Sequence, residues 1–175
     1  MTCELAFVLI NPHTIAKSRT GGVIGRFLSR TGLELVAARF FTPPLELVEA
    51  YTEIIRRQDK PDAATRDLLV DYVLKSYAPD PVRKMPRRAL MILLEGENAV
   101  ARVSEAAGPV ITGGGESIRD TYGDYVVDAN RKVQYFEPAV LVASTAEETR
   151  DTLRLWSSYS ATHGGWAHNA ADISR

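Results

Sequence analysis

Short apolar runs separated by polar breaks divide the chain into alternating strands and helices. Strands are predicted at ELAFVLI (4–10), LELVAARFF (33–41) and ALMILLEG (89–96), and VVDANRKVQYF predicts a β-hairpin. Apolar positions at helical spacing predict five helices, in 20–31, 42–57, 65–77, 97–107 and from 146 onward. The order β-α-β-α-α-β-α-β-α fits either a doubly wound sheet or a split βαβ, ferredoxin-like sheet.

Composition narrows the class of partners but not the function. The 175 residues suit one domain, and a formal net charge of −1 gives no general attraction to nucleic acid or an anionic membrane. No apolar run approaches the roughly 18 residues that a membrane helix needs. The single cysteine, Cys3, indicates a reducing compartment. We therefore expect a cytoplasmic protein with no nucleic-acid or membrane partner.

A series of motifs resembles the nucleoside diphosphate kinase family. The opening FVLINPHTI…GGVIGRFLSRTGLELVAARF is similar to a family strand that ends in Lys-Pro-Asp and a helix that begins with glycine. EAYTEI, MILLEGENAV, ESIRDTYGDY and STAEETRDTLRLW resemble later family segments, and LEGENAV is the most specific of them. The resemblance implies an α+β, ferredoxin-like antiparallel sheet covered by helices, as a domain over residues 1–158 followed by a C-terminal tail at 159–175.

The family reaction passes a phosphoryl group from a nucleoside triphosphate to a diphosphate through a histidine, and covalent catalysis needs that nucleophile in place. Counting along the motifs puts the family histidine near Tyr135 or Phe136 from one side, and near Leu141 from the other. The histidines of this chain are His13, His163 and His168. The resemblance therefore implies that the conventional phosphohistidine is absent.

The other family positions are carried over one by one. The family lysine at the first strand end is Asn11 here, the aspartate two residues on is His13, and the helix arginine after the EGEN turn falls on Ser104. The family tyrosine is kept as Tyr51, and the arginine of the Ile-Arg pair as Arg119. The resemblance implies that Asn11, Tyr51 and Arg119 face the ligand, with buried aromatic packing as the alternative for Tyr51 and a structural salt bridge as the alternative for Arg119. Losing one lysine and one arginine is expected to weaken the hold on a triphosphate.

A glycine run offers a replacement site for an anion. The amides of Gly113, Gly114 and Gly115 are predicted to converge on a phosphate, and Arg119 would supply a fixed charge. A loop tip without a ligand is the alternative reading. The run lacks the Gly-Lys-Ser/Thr ending of a P-loop.

Three side chains are candidates for catalysis. His13 follows a strand end and is a candidate acid or base, or a loop histidine with no chemical role. Asp120 and Asp124 are candidates for Mg²⁺ binding or proton transfer, with capping and turn roles as the alternative. His163 and His168 lack a further ligand for a metal, so no metal site is predicted.

Two functions follow from this pattern. The first is a kinase-like scaffold that has lost phosphohistidine chemistry and binds a nucleotide or related phosphorylated ligand. The alternative is a phosphotransferase that moves the group directly from a nucleoside triphosphate with Mg²⁺ to a different acceptor. The resemblance also implies a homo-oligomer. The hairpin at 125–136 replaces the family catalytic segment and is predicted to carry any new specificity.

Overall fold

Six strands and seven helices make up the part of the chain that the computed structural model describes, residues 3–83, 85–111, 113–130 and 132–162. The strands are β1 Glu4–Ile10, β2 Glu34–Phe41, β3 Ala89–Gly96, β4 Asp124–Val127, β5 Val133–Glu137 and β6 Val140–Val142. The helices are α1 Pro12–Ala16, α2 Thr20–Thr31, α3 Leu45–Arg56, α4 Ala63–Tyr77, α5 Ala99–Ala107, α6 Ile118–Tyr122 and α7 Ala146–Thr162.

Four of the strands form one antiparallel sheet in the order β2-β3-β1-β6. β3 lies between β1 and β2 and runs antiparallel to both, so the β1–α–β2 unit is split by a third strand. This arrangement is the ferredoxin-like α+β fold that the resemblance implies, and it excludes the doubly wound parallel sheet. The apolar run at 89–96 is a central strand, as its pattern predicts.

The central strands are apolar along their length because helices cover both faces of the sheet. On β1, Ala6, Val8 and Ile10 join a core made with α2, α5 and α6, whereas Phe7 and Leu9 join a core made with α3, α4 and α7. Successive strand residues point to opposite faces, so both sets are buried. β2, at the edge of the sheet, alternates between exposed and half-buried positions over most of its length.

The predicted hairpin forms outside the main sheet. β4 and β5 pair antiparallel with each other as a separate two-stranded sheet, and the short strand β6 takes the fourth place beside β1. Helix α1 lies where no helix was predicted, and Pro12 suits its first turn. Helix α7 extends to Thr162, four residues past the predicted domain end. No helix of the described residues is long and apolar enough to cross a membrane.

Candidate active site

The two segments that the resemblance offers for the family histidine lie in different parts of the fold. Leu141 sits in β6, pairs with Leu9 of β1 and is buried, whereas Tyr135 lies on β5 and is 41% exposed. No residue from 14 to 162 is a histidine, so neither segment carries one. His163 and His168 lie outside the described residues.

Arg119 is a buried cation that bonds carbonyl oxygens of the backbone. It lies in α6, which Ser117 begins with a reciprocal capping box, and it is 5% exposed. Its Nε donates to the carbonyl of Val140 at 3.2 Å and its Nη1 to the carbonyl of Gly108 at 2.5 Å. Among the described residues no carboxylate lies within ion-pair distance of it.

Burial lowers the pKa of Arg119 to about 10, which leaves the guanidinium charged at neutral pH. A buried charge that is only hydrogen-bonded to carbonyls is costly, and an anionic ligand would relieve that cost. The Arg119 guanidinium is thus a fixed positive charge whose hydrogen-bond partners in the described residues are carbonyl oxygens.

Tyr51 lies in the core close enough to Arg119 for the two groups to influence each other electrostatically. The phenol is 2% exposed, and its ring packs edge-on against Trp156 with 5.6 Å between centroids. Burial raises its pKa well above the usual value, so it stays neutral. The contacts with Trp156 place Tyr51 in core packing, beside Arg119.

Asn11, predicted to face a ligand, is fully buried. Its amide nitrogen donates to the carbonyl of Pro138, and its amide oxygen accepts a hydrogen bond from the hydroxyl of Tyr77. Asn11 thus joins the end of β1 to the segment before β6 and to helix α4. This bonding differs from the role of a phosphate-binding lysine.

Amides of the glycine run are directed at a carboxylate of the protein, that of Asp120. The carboxylate of Asp120 accepts from the amide of Gly113 at 3.0 Å, the amide of Ser117 at 3.2 Å and the hydroxyl of Ser117 at 2.6 Å. These bonds, the one from Ser117 first, lower the pKa of Asp120, and the amide of Gly115 adds to the effect. Two of the three predicted glycine amides, those of Gly113 and Gly115, are therefore directed at Asp120.

Replacing Asp120 with asparagine is expected to lower the free energy of unfolding by about 1 kcal/mol, since a cap and two loop amides lose a charged acceptor. Because the pKa of Asp120 is depressed in the folded state, its contribution exists above the unfolded pKa. The difference from the wild type should fade as pH falls below about 4. Urea unfolding of the wild type and the variant at several pH values measures this difference in stability. Asp67→Asn, at an exposed position, is the control.

His13 and Asp124 meet in one charged cluster that Asp120 does not join. The His13 ring lies 3.1 Å from Glu137 through Nε2 and 3.3 Å from the Tyr72 hydroxyl through Nδ1. Both ring nitrogens therefore have protein partners. Burial lowers the pKa of His13, against the attraction of Glu137, so the ring is largely neutral at pH 7.

Asp124 is held by two cations, Lys17 and Arg19, each at 2.9 Å. Lys17 also bonds Glu137 and the hydroxyl of Tyr135, the latter at 3.0 Å. Burial alone would lower the pKa of Lys17, but its bonds to Glu137, Tyr135 and Asp124 raise it instead. Neither Lys17 nor Glu137 was predicted as a site residue. Lys17 lies in the segment after β1, and Glu137 is the last residue of β5.

Within the described residues no three histidine, cysteine or acidic side chains are grouped so that they would hold an ion. Asp120 and Asp124 bond different partners and do not form the carboxylate pair that was predicted as one option.

Comparison with known proteins agrees with the fold and the motifs. The nucleoside diphosphate kinase of Methanoregula boonei is 33% identical over 132 residues, which cover 74% of this chain and 75% of the relative. The kinase of Staphylococcus epidermidis is 28% identical over 155 residues, 87% of each chain. No protein-family model matches the chain.

Solved structures show the same fold at lower identity. The nucleoside diphosphate kinase of Aquifex aeolicus has a TM-score of 0.62 at 19% identity, covering 89% of this chain and 95% of the other. That of Pyrobaculum aerophilum has a TM-score of 0.63 at 19% identity, covering 89% and 96%. With the Methanoregula boonei relative above, these matches show that the chain belongs to the nucleoside diphosphate kinase family.

Proposed function

We propose that this family member binds a nucleotide or a related phosphorylated ligand and does not carry out phosphoryl exchange through a histidine. The observation that carries the proposal is Arg119, a buried guanidinium without a carboxylate partner among the described residues. Phosphate oxygens, like those of a carboxylate, accept the paired N–H bonds of a guanidinium, and the kinase relatives favour phosphate between the two.

Two further observations support this proposal. The chain has no histidine between 14 and 162, where both alignments would put the nucleophile. A kinase of this fold from Borrelia burgdorferi, with a TM-score of 0.58 at 14% identity, was crystallised with bound vanadate and ADP. That complex makes ADP a suitable first probe, with Mg²⁺ carried by its phosphates.

Direct transfer to another acceptor is less well supported. In that reaction the bond from the γ-phosphorus to the bridging oxygen breaks while a bond to the acceptor oxygen forms, and the acceptor proton needs a base. His13, Asp120 and Asp124 were the predicted bases. Each is already bonded to other groups of the protein, so none is presented free to a substrate.

The proposed loss of phosphohistidine chemistry predicts that ATP will not phosphorylate the protein. After incubation of the full chain with ATP and Mg²⁺, intact-mass spectrometry at alkaline pH should find no added phosphate, because a histidine nucleophile is missing from both candidate segments. In the same mixture GDP should not be converted to GTP above the rate without protein.

A stoichiometric, acid-labile phosphate would contradict the proposal. His13→Gln and a double His163→Gln/His168→Gln variant would then locate the phosphate. If the wild type converts GDP and all these variants convert it equally well, the nucleophile is not a histidine.

A further inference from the structure

The loop between α4 and β3, described at 78–83 and 85–88, carries two highly exposed apolar side chains. Val82 is 87% exposed and Met85 is 60% exposed, more than the other large apolar side chains of the described residues. Apolar residues scattered singly over a surface are normal, but these two lie three residues apart at the tip of one loop. The tip therefore projects two apolar side chains into the solvent.

The conformation of the tip is held by Asp80. Its carboxylate accepts hydrogen bonds from the amides of Val82 at 2.9 Å and Arg83 at 2.6 Å, and its own amide donates to the carbonyl of Met85 at 3.0 Å. The Arg87 guanidinium donates to a backbone carbonyl of α4 and lies 3.8 Å from the Asp80 carboxylate. These bonds join the tip to the end of α4, which lowers the entropy cost of ordering the loop against a partner.

Two arginines of this loop have charges that no acidic side chain neutralises. Arg83 and Arg88 are exposed, and neither forms an ion pair within the described part of the chain. The charge of Arg87, by contrast, is paired with Asp80. The expectation of no membrane partner was based partly on the net charge of −1. That value is an average over the chain and does not describe the local excess of positive charge in this loop.

Exposed apolar side chains beside unpaired arginines suit the surface of an anionic membrane. There the apolar groups enter the boundary between headgroups and acyl chains, and the guanidinium groups contact phosphates. A nucleic-acid backbone also offers phosphates, but contacts to phosphate make no use of the apolar side chains. A standard protein interface takes about 20–30 residues from each partner, many more than this tip has. The combination therefore favours lipid.

We propose that the α4–β3 loop docks this protein onto an anionic phospholipid surface. Val82 and Met85 enter the interfacial layer, and Arg83 and Arg88 bind headgroup phosphates. The contact is peripheral, since the loop alone supplies it and no helix in the described ranges is suited to cross a membrane. It does not depend on ligand binding at Arg119, so its failure would leave the proposed function untouched.

Sedimentation of the full chain with lipid vesicles tests this proposal. We expect binding to vesicles of phosphatidylcholine mixed with phosphatidylserine, and much weaker binding to phosphatidylcholine alone. Binding to the mixed vesicles should weaken as the salt concentration rises, because salt screens exposed charges. Arg83→Gln/Arg88→Gln should weaken it about tenfold or more, because each basic residue near an anionic surface contributes separately.

A second variant and a control separate the apolar contribution from net charge. Val82→Ser/Met85→Ser should also weaken binding about tenfold, because the inserted apolar area is lost. Both side chains are exposed, so thermal stability should stay close to that of the wild type. Lys132→Gln/Arg150→Gln removes two exposed cations that lie outside the loop and form no ion pair among the residues described. This control should bind vesicles like the wild type.

Three results would overturn the proposal. Wild-type protein that does not bind mixed vesicles excludes lipid docking. Equal losses in the control and the loop variants would mean that net charge alone drives binding. A loss in Arg83→Gln/Arg88→Gln with none in Val82→Ser/Met85→Ser would mean that the loop binds charge alone, as an acidic protein or a nucleic acid offers. Affinity for ADP with Mg²⁺ should be unchanged in both loop variants, so the proposed function is tested separately.

Discussion

Arg119→Met is expected to weaken binding of ADP with Mg²⁺ about ten- to a hundredfold, which corresponds to the loss of charge-assisted hydrogen bonds worth about 1.5–3 kcal/mol. The free energy of unfolding should change little. The variant loses bonds to two carbonyls, but it also removes a buried charge that has no carboxylate partner among the described residues. Replacing a buried ionic group with an apolar one of similar volume is often close to neutral.

Titration calorimetry measures the affinity for ADP, and urea unfolding measures the free energy of unfolding of the same protein. Arg102→Met is the control, because the Arg102 guanidinium also donates to a carbonyl, that of Thr31 at 3.1 Å, but away from the candidate site. If Arg119 only supports the fold, the variant will lose stability and keep its affinity. That result would remove Arg119 from the site.

Asn11→Lys, which restores the residue of the family pattern, is expected to lower the free energy of unfolding by about 3–5 kcal/mol. Asn11 is fully buried, and its amide bonds Pro138 and the Tyr77 hydroxyl. An ammonium there would be buried without a carboxylate among its present partners, and it offers no acceptor to Tyr77. We therefore expect a loss of stability and no gain in phosphoryl exchange.

Chemical unfolding measures the loss, and Asn130→Lys at an exposed turn position is the control, with a change within about 0.5 kcal/mol. Wild-type stability in Asn11→Lys would mean that the end of β1 still accepts a cation. Combined with turnover of GDP, that result would show a site that is one substitution away from the family chemistry.

The sheet and its covering helices could be predicted because each element has a local signal. The apolar run at 89–96 indicated a central strand, and the helix predicted in 20–31 ends before Gly32, whose φ of 63° suits glycine. Ser117 caps α6 through contacts that span three residues of sequence. Order and spacing of the motifs then distinguished the split sheet from a doubly wound one.

The site was harder to predict, because its contacts join distant parts of the chain. Lys17 and Glu137 are 120 residues apart, and no pattern in either segment indicates that one ammonium lies between two carboxylates. The glycine run suggested an open cradle, whereas its amides are directed at Asp120, seven residues beyond Gly113. The burial of single side chains could not be predicted from the sequence either. Asn11 is fully buried, unlike a lysine that binds a ligand, and Arg119 is buried without a counterion among the described residues.

Titration calorimetry of the full wild-type chain with ADP and ATP, each with and without Mg²⁺, tests the central claim most directly. We predict saturable binding of at least one of them with a micromolar dissociation constant, because the charge of Arg119 remains in place to meet a phosphate. Absence of measurable binding across all four conditions would contradict the account. It would mean that the buried arginine stabilises the fold alone and that the family scaffold serves a different ligand.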